Sequence, residues 1–392
     1  MTTTQNEPSI NAYVGSATGL LKSVTFANKQ VRNHPDEQNY GKDFAIMDMC
    51  WDNQNPKKFH MGLKNLMVKT YDVEEKNYCT TNTMPYVLQD PKDEIKTLNT
   101  LNGKFIAGMS NGDVNIWSND NDLNTLRVGN NLECMSLLHK HNLMVTGGKE
   151  NLMKVWDLNK SEKPIFTAKN VKPDWLDHRV PVWETTVHFV ENSPDTILTT
   201  TGKSQIRMYD LRVGLNTNMT KKQRQFPKRR PVMETKFSEF PITTSSMVQR
   251  NPKKVYVANT RGEIGCFDLR KPKNVCKSYE PAMGCIKKLV NHPIKPYFFS
   301  VSIGGYLRVH DEKTRKPKEK VYMKAALNKL LVTSAELEDK PKETKKVGKA
   351  DKFKTEEEFC KSDDEEEDEW GNMEEASDED DESPSPKKQK LN

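Results

Sequence analysis

One pattern recurs seven times along this chain and limits what it can become: a small or glycine-containing turn, then an alternating strand ending on a bulky residue. The segments are GSATGLLKSV ending at Val24, GLKNLMVKTYD with its aromatic at Tyr71, GMSNGDVNIWS at Trp117 and GGKENLMKVWD at Trp156. TGKSQIRMYD at Tyr209, NTRGEIGCFDLR at Phe267 and SIGGYLRVHD at His310 complete the series. The spacings between those terminal positions are 47, 46, 39, 53, 58 and 43 residues. A strand-built period near 40–45 residues is that of a WD-type β-propeller blade, four strands to a blade. The expectation is an all-β, seven-bladed propeller over residues 13–332, after a flexible N-terminus of residues 1–12.

Apolar strands upstream of several turns are expected to line the central channel as innermost strands. They are IKTLNTL (95–101), LECMSLL (132–138), METKFSEF (233–240) and CIKKLVNH (285–292). A blade buries its faces only against its neighbours, so the ring must close. The first unit starts too late to hold its own inner strand, and LNKLLV (327–332) is expected to return and supply it. The competing reading makes MKAALNKLLVTSAEL a helix. WD-type blades often place an aspartate six residues before the terminal aromatic, within a tryptophan-centred hydrogen-bond network. Five blades here have Asn111, Glu150, Lys203, Arg261 and Gly304 at that position. Packing, rather than that network, is expected to hold the blades.

Gly108-Met109-Ser110-Asn111-Gly112 matches the G-x-S-x-G nucleophile elbow. That chemistry needs a strand, a strained turn and a helix, whereas the alternating strand DVNIWS follows here. No phosphate-binding G-x-x-x-x-G-K-[ST] and no zinc-binding H-E-x-x-H occurs. No catalytic residue, metal site, cofactor or small-molecule substrate is expected, and the protein is read as a non-enzyme. His139 and His141 are expected in a turn. The seven cysteines are scattered with no C-x-x-C, which favours reduced thiols. No apolar run approaches the roughly 20 residues of a membrane span, so a soluble protein is expected.

The formal net charge of +6 conceals two opposed parts. From Thr333 onward there are 11 Lys and Arg against 22 Asp and Glu, whereas residues 1–332 hold 50 against 33. A basic globule suggests a polyanionic partner, nucleic acid first. NVKPDWLDHRVP follows the expected outer strand PIFTAK (164–169) and leads into the inner strand VWETTVHFV (182–190) of blade five. QRQFPKRRP (223–231) is expected in the next outer-to-inner connection, so both loops would share one face. The candidate docking residues there are Trp175, His178, Arg179, Lys228, Arg229 and Arg230, with Lys221, Lys222 and Arg224 nearby. Arginine forks suit phosphate oxygens, and an exposed aromatic plane suits an unpaired base. Plainer readings put Trp183 in the core, pair Asp177 with Arg179, and leave KKQRQFPKRR as a solvated insertion.

VWDL followed by AKNVKPDWLDHRVPVW, then QIRMYD and RRPVMETKFSEFPIT, closely resembles the WD repeat-containing protein 74 family. The likeness spans about residues 13–332 and is most specific over 151–245. It implies a seven-bladed propeller in the nucleolus that joins precursor particles of the large (60S) ribosomal subunit during pre-rRNA processing. It also implies release by an AAA-type ATPase and a link to the nuclear exosome and its RNA helicase. A different class of reading is a substrate-recognition propeller of a ubiquitin ligase, or a histone-tail reader in a chromatin complex.

Residues 333–392 are too charged to offset the ordering entropy of a packed fold, and a disordered tail is expected. Ser362 and Ser377 precede acidic runs, and Ser383 and Ser385 precede prolines; all four are candidate phosphosites. Lys387, Lys388 and Lys390 form a candidate nuclear-import motif, with the basic run 340–354 as a possible auxiliary. Trp370, inside an acidic run, is a candidate anchor for a partner.

Overall fold

The computed structural model describes residues 11–36, 40–86, 90–118, 122–160, 163–173, 175–190, 193–212, 229–271 and 275–334. The candidate residues Lys221, Lys222, Arg224 and Lys228, Trp370, the four serines and the import motif lie outside these. Seven antiparallel sheets of four strands each make up the fold. Blade one holds β1 (Ala12–Ser16), β2 (Leu21–Thr25) and β3 (Gln30–His34). Blade two runs from β4 (Ile46–Trp51) to β7 (Asn77–Thr83), and blade three from β8 (Ile95–Leu101) to β11 (Asn124–Arg127). Blade four comprises β12 (Leu132–Leu138), β13 (Leu143–Gly148), β14 (Asn151–Asp157) and β15 (Phe166–Thr167). Blade five comprises β16 (Glu184–Phe189), β17 (Thr196–Thr201), β18 (Gln205–Asp210) and β19 (Met233–Lys236). Blade six runs from β20 (Ile242–Met247) to β23 (Val275–Tyr279), and blade seven from β24 (Ile286–Asn291) to β27 (Pro317–Tyr322).

The chain ends close the ring. β28 (Leu327–Val332) pairs antiparallel with β1, Ala12 opposite Val332 and Val14 opposite Leu330, so blade one has the order β28-β1-β2-β3. The helical alternative for this stretch is therefore wrong. Successive side chains go to opposite sides, as in a strand: Leu330 and Val332 enter the seam with blade seven, and Leu331 between them enters the seam with blade two.

Each apolar cluster is a seam between two blades, which is why no blade could stand alone. Val24 and Phe26 of blade one meet Phe299 and Val301 of blade seven. Tyr13 and Leu21 meet Phe59 and Tyr71 of blade two, and the remaining five seams repeat the scheme around the ring. Position within a blade dictates composition. Second strands such as KFIAGM and YFFSVS face a neighbour on both sides and are almost wholly buried. Outer strands such as NYCTTNT face water and are mostly exposed.

METKFSEF is not an inner strand. Met233–Lys236 pairs only with the third strand of blade five, Met233 opposite Met208, as that blade's outer strand. The inner strand of blade six is ITTSSM, whose hydroxyl groups suit a channel wall and lower its apolar signal. The chain between β18 and β19 therefore joins a third strand to an outer strand within one blade. In an antiparallel blade that connection leaves from the end opposite to an outer-to-inner connection, so the expected equivalence of the two basic loops does not hold.

Leu330 is 1% exposed in the closing seam, whereas Ile294 is 58% exposed. Leu330→Ala is expected to cost about 3 kcal/mol, and Ile294→Ala less than about 0.5 kcal/mol. Chemical denaturation of the two variants checks the contrast.

Candidate docking interface

The outer strand of blade four ends at Thr167, and the chain then crosses to blade five through residues 168–183. Several bonds fix the two ends of this loop. The Asn170 side-chain amide donates to the Val180 carbonyl at 2.6 Å. Glu150, in the β13–β14 turn, accepts the Val182 N–H on its carboxylate, while its own N–H donates to the Val182 carbonyl. Its second carboxylate oxygen meets the Arg179 guanidinium at 2.6 Å. Arg179 thus pairs with Glu150, not with Asp177. Glu150 occupies the position where WD-type blades often carry their aspartate, and here it anchors a loop.

The middle of the loop stands out into solvent. Trp175 is 89% exposed and its neighbour Leu176 is 53% exposed. A large aromatic in water on an anchored loop is the surface feature that most needs a partner. His178 and Arg179 are exposed beside it. Arg229 and Arg230 reach the start of the same loop despite the strand reassignment. The Arg229 Nε donates to the Thr167 carbonyl at 2.6 Å, and its carbonyl accepts the Lys169 N–H. The Arg230 Nε donates to the Asn170 carbonyl at 3.1 Å. The structure therefore joins the arginine pair to the stem of the tryptophan loop by direct bonds rather than by a shared rim.

Trp183 is half-buried rather than a member of an apolar seam. Its ring lies flat on Gly202, where a Cβ would come within 2.2 Å of it, and the Lys149 ammonium sits 5.9 Å from its centroid. It stands beside the central cavity. The next residue, Glu184, is completely buried. Burial pushes its carboxyl up to about 8, against the opposing pull of the Met153 amide and the Arg207 guanidinium. Arg207, 1% exposed, pairs with Glu234 at 3.1 Å. A buried polar group thus lies directly under the C-terminal end of the loop.

Sequence reading passed over a second surface. Met283, in the connection from blade six to blade seven, and Ile303 and Tyr322 of blade seven are 78%, 52% and 54% exposed, with Met283 lying by Gly304 and Tyr322 by Gly305 in the turn that carries Ile303. No short motif marks them; tertiary folding alone brings these separate segments together. The remaining candidates are structural. Ser110 lies in a turn, its hydroxyl donating to Asp93 and accepting from the Glu94 N–H, and a strand follows. Gly112 closes that turn at φ 96°, with no room for a Cβ against the Gly129 carbonyl. His139–His141 is a short 3-10 turn as expected. The tetrad-like network survives in fragments: the Trp156 indole donates to Thr146 in blade four, and His310 bonds to Ser300 in blade seven. The five cysteines described with their side chains are free thiols. Among the described residues no helix is long and apolar enough to cross a membrane.

A closed ring of seven four-stranded blades, with an exposed aromatic loop at one blade junction, defines a WD-type β-propeller. No family model matches the chain. It is 31% identical over 357 residues to human WD repeat-containing protein 74, spanning 86% of this chain and 85% of that protein. It is 29% identical over 220 residues to the ribosome biogenesis protein NSA1 of Meyerozyma guilliermondii, covering 48% of this chain and 52% of the relative. The Saccharomyces cerevisiae NSA1 is 27% identical over 204 residues, 46% of this chain and 43% of the relative. The chain belongs to the WD repeat-containing protein 74 family.

The raised Glu184 carboxyl has a defined sign. The folded state holds its proton more tightly than the unfolded chain, so the stabilisation is complete below the ordinary glutamate pKa near 4.5 and is lost as pH rises towards 8. Glu184→Gln should match the parent near pH 4 and exceed it at pH 8, by an amount on the order of a few kcal/mol. Thermal melts across that range check the divergence.

Proposed function

We propose that this chain is a ribosome biogenesis factor, a non-catalytic scaffold in nucleolar assembly of the large ribosomal subunit and pre-rRNA processing. It docks on precursor particles through the loop carrying Trp175, His178 and Arg179, with Arg229 and Arg230 at its stem. The observation that carries this reading is Trp175, 89% exposed on a loop held at both ends. Its relatives' names, among them the NSA1 proteins, point to the same process. The ring supplies a rigid frame and the loop a planar aromatic with cations beside it, which suits an RNA segment with an unstacked base. Lys228 and the neighbouring basic residues extend the positive charge in sequence.

Release from the particle by an AAA-type ATPase, and an association with the nuclear exosome and its RNA helicase, belong to the same proposal and rest on family resemblance alone. A nuclear and nucleolar location follows from the process, with Lys387, Lys388 and Lys390 as the proposed import motif. Ser362, Ser377, Ser383 and Ser385 are proposed as phosphosites that would deepen the tail's negative charge.

The histone-reader alternative loses support at the central channel. Its lining carries Lys96, Lys287, Lys288 and Lys329 against Asp48 and Glu133, the wrong balance for trapping a lysine tail.

Trp175→Ala touches no bond that holds the loop, so the fold should persist. Association of the tagged protein with large-subunit precursors should weaken about tenfold or more, as for an interface hot spot. Sucrose-gradient sedimentation reads this directly; unchanged co-sedimentation would remove the loop from the interface. Arg230→Ala should weaken association and loosen the loop together, because its guanidinium also binds the Asn170 carbonyl.

A further inference from the structure

The central cavity is half-open and offers about 530 Å³, a size that suits a small molecule rather than a folded partner. Its wall is built from the innermost strands, which turn hydroxyl and amine side chains inward because their other face fills the seams. Two of its lysines are already neutralised: Lys329 meets Asp48 at 3.0 Å, and Lys96 meets Glu94 at 2.8 Å. Lys288, on β24, has no ion-pair partner among the described residues. Asp48, the acid whose charge it feels, is already bridged by Lys329.

On one side of Lys288 lies His188, whose imidazole feels the lysine's charge and is held to about 4 by burial and by that charge. The His188 Nε2 bonds to the Ser245 hydroxyl at 3.0 Å, and Thr186 shares that hydroxyl. On the other side lies Lys329, whose like charge adds to desolvation in lowering the Lys288 pKa. Two ammonium groups, a neutral imidazole and hydroxyl donors therefore converge from four adjacent inner strands. Lys288 is half-buried in the channel beside a second ammonium, and an anion seated there would offset the repulsion between the two.

We propose that the central channel is a binding site for a small polyphosphorylated anion, seated between Lys288, Lys329, Ser245 and His188. Phosphate oxygens supply the charge that Lys288 lacks, and the Ser245 hydroxyl, bonded to His188 and Thr186, holds the polar wall beside it. The site is separate from the Trp175 loop and does not depend on how that loop is used.

The test uses the full chain and inorganic triphosphate, titrated calorimetrically at physiological ionic strength. One-to-one binding is expected, weakened at least about tenfold in Lys288→Met and unchanged in the exposed-surface variant Lys64→Met. Lys288→Met should also melt higher than the parent without anion, since it removes an unpaired charge, and should lose the parent's rise in melting temperature with triphosphate. Should Lys288→Met not fold, Lys288→Gln takes its place, with the same expected loss. Absence of binding at millimolar triphosphate overturns the proposal, as does an equal loss in the Lys64 variant, which would mean diffuse charge only. Stronger competition by the acidic peptide KSDDEEEDEW than by triphosphate overturns it too, and makes a carboxylate-rich segment the occupant.

Discussion

The pairing of the last strand with the first holds everything else in register. With Val332 opposite Ala12 and Leu330 opposite Val14, β28 gives blade one the inner strand that the N-terminal segment lacks. Backbone hydrogen bonds alone do not make this contact decisive. It also brings blade one against blade seven, so that Phe26 reaches Phe299 at 5.8 Å between centroids and the last seam closes. Every other seam has neighbours on both sides and depends on that ring being complete. A propeller left open there would expose two apolar blade faces and an unpaired strand edge to water.

Closure also explains where polar groups can be placed. Second strands are buried on both faces and take small or apolar residues, whereas first strands have one face on a seam and one on the channel. The channel face therefore collects threonine, serine, histidine and lysine without weakening the core. Glu184 breaks this order because its side chain is wholly buried, and burial keeps its proton on. It follows Trp183 directly and sits where the 168–183 loop enters blade five, so loop and buried acid share one short stretch of backbone.

The candidate interface was partly legible. Trp175 stood out because an aromatic flanked by polar residues on a long connection has no seam to fill. Arg229 and Arg230 were picked for charge, and the structure ties them to the loop through Thr167 and Asn170. The route by which they arrive differs from the one that hydropathy suggests. METKFSEF has more apolar residues than ITTSSM, yet the first is an outer strand and the second an inner one. Hydropathy ranks burial, and a channel-lining strand is buried among hydroxyl groups rather than hydrocarbon.

By itself the sequence determined the all-β class and the seven-fold repeat, because strand period and turn chemistry are local properties; for the last segment it allowed a strand or a helix, and the pairing with β1 settles on the strand. It also determined that Trp175 has no place in a core. Which strand is outermost in blade five, that Arg179 takes Glu150 as its partner, and that Lys288 meets His188 and Lys329 around one cavity were decided only by the tertiary structure. Those are contacts between residues tens to hundreds of positions apart. They exist because closing the ring sets the position of every blade relative to the next, and no window of sequence carries that information.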